Sequence, residues 1–152
     1  MKKPLIIIAF LVIGGVAYYG VSPLFRNKRV DEALPNISQT TKRAEPVTKS
    51  SISSPVVGTP AHPASGTARI VTVDGKSYAR FENFKTINGP DVYVYLANDL
   101  NAKDIVDLGP LKATEGNINY EIPAGVGPKK YKYVIHWCKR FSVLFNYAEI
   151  RY

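Results

Sequence analysis

Thr67-Ala68-Arg69-Ile70-Val71-Thr72-Val73, then Asp74-Gly75, then, past Lys76, Ser77-Tyr78-Ala79-Arg80-Phe81-Glu82-Asn83-Phe84 is the stretch that decides the fold. Two runs rich in β-branched and aromatic residues flank an Asp-Gly pair, which supplies the left-handed positions of a tight hairpin turn. The same texture continues to the end of the chain. Asn88-Gly89-Pro90 breaks it before Asp91-Val92-Tyr93-Val94-Tyr95-Leu96, a run apolar on both faces and therefore expected to be central. Gly116 to Pro123 alternates, with Ile118, Tyr120 and Ile122 on one face and Asn117, Asn119 and Glu121 on the other. Two more strands are expected around Tyr131 to Trp137 and Phe141 to Ile150, and only Asn98 to Asp107 reads as able to make a helical turn. About six to eight short strands predict an all-β domain, a small β-sandwich or barrel-like fold.

Before this domain the chain changes character twice. Residues 1–30 begin Met1-Lys2-Lys3 and continue without a charge from Pro4 to Phe25. Such a run is long enough to cross roughly 30 Å of hydrocarbon at about 1.5 Å per residue, and predicts one N-terminal transmembrane helix with basic flanks, the signal-anchor type. A cleaved signal peptide is the alternative, although Gly15-Val16-Ala17 is a poor cleavage site. Tyr18 and Tyr19, with Arg26, Lys28 and Arg29 beyond, suit the interface. Residues 31–65 are rich in Ser, Thr and Pro and poor in large apolar groups, which predicts a disordered tether. The domain is then expected over residues 66–152.

Charge counting alone does not orient the anchor, because both flanks are basic. Asn36-Ile37-Ser38 matches the N-glycosylation pattern and tips the orientation towards a C-terminal domain outside the cytoplasm, on a single-pass protein of the cell membrane. The net charge of +8 is concentrated before the domain: eight Lys/Arg face three Asp/Glu up to Ser65, and twelve face nine afterwards. That distribution argues for membrane flanks and against nucleic acid as a partner.

Cys138 is the only cysteine of the 152 residues. It cannot close an intrachain disulfide, so it is either a packing residue or a thiol kept for chemistry with something outside the chain. On a strand His136 and Cys138 share one face and Trp137 and Lys139 the other. His136, Lys139 and Arg140 would each favour the thiolate if they reached it. A blue-copper site needs two His and a Cys, yet His62 falls in the expected tether and Met1 precedes the helix, so no metal site is expected. One cysteine holds neither an iron–sulfur cluster nor a Cys-x-x-Cys-His haem attachment, and the sequence names no cofactor. Hydrolase, P-loop and dinucleotide motifs are absent.

The blocks Gly66-Thr67-Ala68, Phe81-Glu82-Asn83-Phe84, Asn88 to Leu96, Leu108-Gly109-Pro110-Leu111-Lys112, Gly116 to Pro123, Trp137-Cys138, Phe141 to Phe145 and Ala148-Glu149-Ile150 stand in order. Together they resemble the DM-thirteen domain family, an electron-transfer domain often found beside DOMON domains. The resemblance implies an all-β domain on an outer surface, with a redox role at the cysteine matching Cys138. Asn146 stands where the family commonly has glycine, and His136 where an aliphatic residue is usual. Two functions are carried forward. One is a membrane-anchored domain with a thiol-based redox or electron-transfer role at Cys138, flanked by His136 and Trp137 as binding residues and served by a redox partner protein. The other is a non-catalytic surface binding module in which Cys138 is structural; whether the protein is an enzyme is left open.

Overall fold

The computed structural model describes residues 2–21, 27–35 and 49–152, with the side chains of the first segment described in part. Helix α1 runs Lys2–Val21, and its described side chains, among them Ile7, Phe10, Leu11, Ile13 and Val16, are exposed. Over the described residues alone, no helix is long and apolar enough to cross a membrane. The anchor therefore remains a reading of the sequence. Asn36 lies outside the described residues.

Eleven strands follow among the described residues: β1 Arg29–Asp31, β2 Lys49–Ser50, β3 Ser54–Pro55, β4 Val57–Gly58, β5 Ala64–Val73, β6 Lys76–Thr86, β7 Val92–Ala97, β8 Ile105–Pro110, β9 Glu115–Glu121, β10 Tyr133–Cys138 and β11 Val143–Glu149. One sheet has the order β1-β9-β6-β5-β2, with β3 also on β5; the other has the order β4-β11-β10-β7-β8. Their inner faces close a common core of Ile70, Phe81, Phe84, Ile118 and Tyr120 against Val94, Leu96, Val134 and Ala148. The result is an all-β sandwich.

The β5–β6 hairpin turns where expected, with Asp74 at φ 49° and Gly75 at φ 78°, the left-handed pair that an Asp-Gly turn uses. β9 buries Gly116, Ile118 and Tyr120 in alternation, as its pattern requires. The alternation of β6 breaks at Asn83, which adopts φ 49° opposite Gly66 at φ 105°. The register with β5 shifts between Ser65 and Thr67, and that with β9 between Phe81 and Phe84. This bulge lets Phe81 and Phe84, three positions apart, both point inward.

Three expectations are corrected. The domain starts well before residue 66: Lys49–Gly58 supplies β2, β3 and β4, and Arg29–Asp31 pairs in parallel with β9. Composition misleads here because these edge strands need backbone pairing, not apolar mass: Ser51 N–H donates to Ile70 O at 2.9 Å and Val56 N–H to Gly66 O at 2.9 Å. They also raise the strand number above the six to eight read from the sequence. Asn98 to Asp107 makes no helix, because Asp99 instead accepts the N–H groups of Asn101, Lys103 and Asp104, at 2.7, 3.3 and 3.2 Å. These backbone bonds hold the Asp99 carboxyl below its ordinary pKa, and the chain then enters β8.

Candidate functional site

β10 carries His136, Trp137 and Cys138, and lies between β7 and β11 in the middle of its sheet. Cys138 pairs with Val92 on β7 and Val143 on β11, is a free thiol and is 0% exposed. Val92 and Phe145 enclose it, with Ile87 and Leu111 at the rim. His136 is 1% exposed on the same inward face, while Trp137 is half-buried on the outer one. The strand period read from the sequence thus gives the directions of all three side chains.

The neighbours differ from the expected ones. The His136 ring stacks on Phe84, centroids 4.9 Å apart and planes 15° apart, and meets Phe81 at 4.9 Å and 59°. The bulge in β6 places both phenylalanines there. Across the ladder His136 pairs with Asn146, whose Nδ2 donates to Thr86 Oγ1 at 3.1 Å. Both ring nitrogens of His136 and the Oδ1 of Asn146 are buried without a partner of hydrogen-bonding geometry. Burial lowers the His136 pKa to about 4, opposed weakly by the nearby Asn146 amide, so the ring is neutral at pH 7.

Lys139 does not serve the thiol. Its Nζ bonds Asp107 Oδ2 at 2.9 Å and lies 3.3 Å from the Tyr93 ring centroid, on the outer face. The Asp107 bond raises its pKa. Arg140 is exposed at the β10–β11 turn. Among the described residues no three of His, Cys, Asp and Glu converge as a metal site. A haem-sized group against the sulfur would have to displace Phe145 or Val92, so the packing around Cys138 does not fit one.

His62 is the residue the sequence reading set aside. It ends a tight turn in which Thr59 N–H donates to His62 O at 3.2 Å and His62 N–H to Thr59 O at 3.0 Å; the Thr59 hydroxyl lies 2.9 Å from His62 Nδ1. Thr59 N–H also reaches Phe145 O at 3.1 Å. The His62 ring stacks on Phe145 at 3.8 Å, so a surface turn covers the ring that covers Cys138. Partial burial lowers the His62 pKa. Pro60 and Pro63 bracketing His62 were the available signal, since paired prolines fix a turn. A shallow groove beside this turn is lined by His62, Asn101, Trp137, Ser142 and Val143.

Phe145 and Asn146 are consecutive yet both buried, because β11 carries a bulge: the register with β10 skips Phe145 between the pairs His136–Asn146 and Trp137–Leu144. One residue thereby covers the thiol and the next faces the histidine.

Neither the curated proteins nor the solved structures contain a match to this chain. The family model described as Electron transfer DM13 matches residues 57–150. That match spans more than half of the chain, from β4 to the end of β11, and includes the whole cysteine site, so the chain belongs to the electron-transfer DM13 family.

Proposed function

We propose that this chain presents its DM13 domain outside the cytoplasm from a single-pass membrane anchor, and that Cys138 acts there as a covered redox thiol. The observation carrying the proposal is the cover itself: the sole cysteine lies behind Phe145, and Phe145 lies behind a single surface turn through His62. Support for the anchor comes from the uncharged, largely apolar run Pro4 to Phe25 and from the exposure of the described apolar α1 side chains.

The chemistry is thiol–disulfide exchange. Once the cover opens, Cys138 loses its proton to solvent and its thiolate attacks one sulfur of a partner disulfide. An S–S bond to Cys138 forms as the partner's S–S bond breaks, and the second partner sulfur leaves as thiolate. Reducing a disulfide fully takes two electrons and Cys138 supplies one thiol, so a thiol of another molecule completes the reaction. Exposed Phe141 and Val143, beside the groove that holds Trp137 and His62, offer the partner a landing surface.

A second reading, a surface interaction module with Cys138 as a packing residue, is favoured by the complete burial of the sulfur. Modification of the native full chain by a thiol reagent separates the two. Steady reaction under native conditions is expected for the redox thiol. A sulfur inert until denaturation would leave only the packing role. Protease treatment of intact cells tests topology: cleavage of the domain is expected, and its complete protection would refute the outside placement.

A further inference from the structure

The opposite end of the sandwich holds a different feature. A groove of about 580 Å³ opens between β2, β5, the start of β6, the 3-10 turn Pro128–Lys130 and Tyr152. Its floor is Ile70, a core residue 2% exposed, and its wall includes the Tyr152 ring. Three lysines line it, Lys49, Lys129 and Lys130, and among the described residues no aspartate or glutamate does. Elsewhere in the described domain Arg29, Arg69, Arg80, Lys85, Lys112, Lys139 and Arg151 each meet a carboxylate, whereas Lys28, Lys76, Lys103, Lys132 and Arg140, which do not, lie outside this groove. None of the three groove ammoniums does so among the described residues; Lys129 instead sits 5.3 Å over the Tyr152 ring.

A concavity with an apolar floor, lined by three lysines that meet no described carboxylate, has the composition of a site for an anion carried on an apolar body. Hydroxyls add orientation: the Thr72 and Ser77 oxygens lie 2.8 Å apart at the groove and share one hydrogen between them, which leaves the second hydroxyl hydrogen available. We propose that this groove binds a phosphate monoester joined to a ring or acyl group, the lysines holding the anion and Ile70 and Tyr152 the apolar part. The site is independent of the thiol reading. Lys130 precedes β10 and Cys138 ends it, so the two are separated by the strand's length, about 17 Å at roughly 3.3 Å per residue.

The test is equilibrium binding of 4-methylumbelliferyl phosphate to the detergent-solubilised full chain at low salt, with neutral 4-methylumbelliferone as the control. Saturable binding of the phosphate alone is expected. Lys49→Gln, Lys129→Gln and Lys130→Gln should each weaken it about two- to fivefold, as surface charge pairs do, whereas Lys103→Gln on the 98–104 loop should not. The triple replacement should abolish it. Displacement by dissolved phenyl phosphate would assign a soluble ester, and displacement only by phosphatidic acid, a lipid phosphate monoester, in mixed micelles would assign a lipid headgroup. Equal binding of the neutral compound, unchanged affinity in the triple variant, displacement by neither competitor, or no saturable binding would overturn the proposal.

Discussion

The imidazole of His62 lies face to face with the ring of Phe145, centroids 3.8 Å apart and planes 20° apart. Phe145 is 4% exposed and packs directly on Cys138. The relationship makes residues 58–63 part of the site. The redox proposal requires this cover to open without the sandwich coming apart; Thr59 is tied to Phe145 by one backbone bond, and the adjoining Val57–Gly58 pairs with Tyr147 and Asn146.

His62→Ala removes the stack, an interaction of about 0.5–1.5 kcal/mol. Modification of native Cys138 should quicken by roughly two- to tenfold, with global stability changed by less than about 1.5 kcal/mol. Stopped-flow labelling together with urea unfolding checks both halves. An unchanged rate would remove His62 from the cover.

Gly89 tests the cover from the other side. A Cβ built there would stand 2.7 Å from both Phe145 Cζ and Val92 Cγ2, the two side chains that enclose the sulfur. Overpacking of this kind costs about 1–3 kcal/mol. Gly89→Ala is therefore expected to lower the urea midpoint and raise thiol labelling together, whereas lost stability with unchanged labelling would show that Phe145 is not the barrier.

His136 sets a pH dependence whose sign follows from its burial. Its folded pKa, about 4, lies below the ordinary 6.5, so the unfolded chain binds the extra proton between those values. The stabilisation is complete above pH 6.5, falls as the pH drops from 6.5 towards 4, and amounts to about 3 kcal/mol. His62, whose pKa is also lowered, acts in the same direction. Urea midpoints from pH 7.5 to 4.5 should fall less steeply in His136→Leu than in the parent. Parallel slopes would contradict a neutral buried ring.

Arg80, 5% exposed, ties the segment after β1 to the sandwich. Its Nη1 donates to Glu32 O at 2.7 Å, Ala33 O at 3.2 Å and Asn119 Oδ1 at 3.0 Å. Arg80→Ala removes the donor from these partly buried acceptors, together with the Arg80–Glu82 ion pair, and should cost about 1–3 kcal/mol. Hydrogen exchange should speed up at Glu32 and Asn117 before it does so at Ile118. Uniform loss of protection would mean that Arg80 supports the core generally.

The central strands were legible because burial and period agree in them: the Asp74–Gly75 turn, β7 and β9 follow from the pattern of side chains. The sheet edges were not. β2, β3 and β4 are held by backbone hydrogen bonds, which Ser, Thr and Pro composition does not announce. In the site, the shared face of His136 and Cys138 follows from the strand period. The partners of each depend on two bulges, at Asn83 and at Phe145, that shift the register by one residue. Asn83 interrupting Phe81-Glu82-Asn83-Phe84 was a readable sign of the first, because asparagine tolerates the left-handed backbone. Nothing local in Leu144-Phe145-Asn146 marks the second. His62 was misplaced for a different reason: its importance is a tertiary stack on a residue 83 positions away.

The measurement that most directly tests Cys138 as a covered but operable thiol is its labelling rate in the native full chain as urea is raised through the range below unfolding. Local opening of the His62–Phe145 cover exposes little surface, so the rate should stay nearly flat and then rise at the unfolding transition. A rate that climbs from zero denaturant with the full unfolding slope, about 1–3 kcal/mol per molar urea, would mean that the sulfur is reached only by global unfolding, and would contradict the redox account.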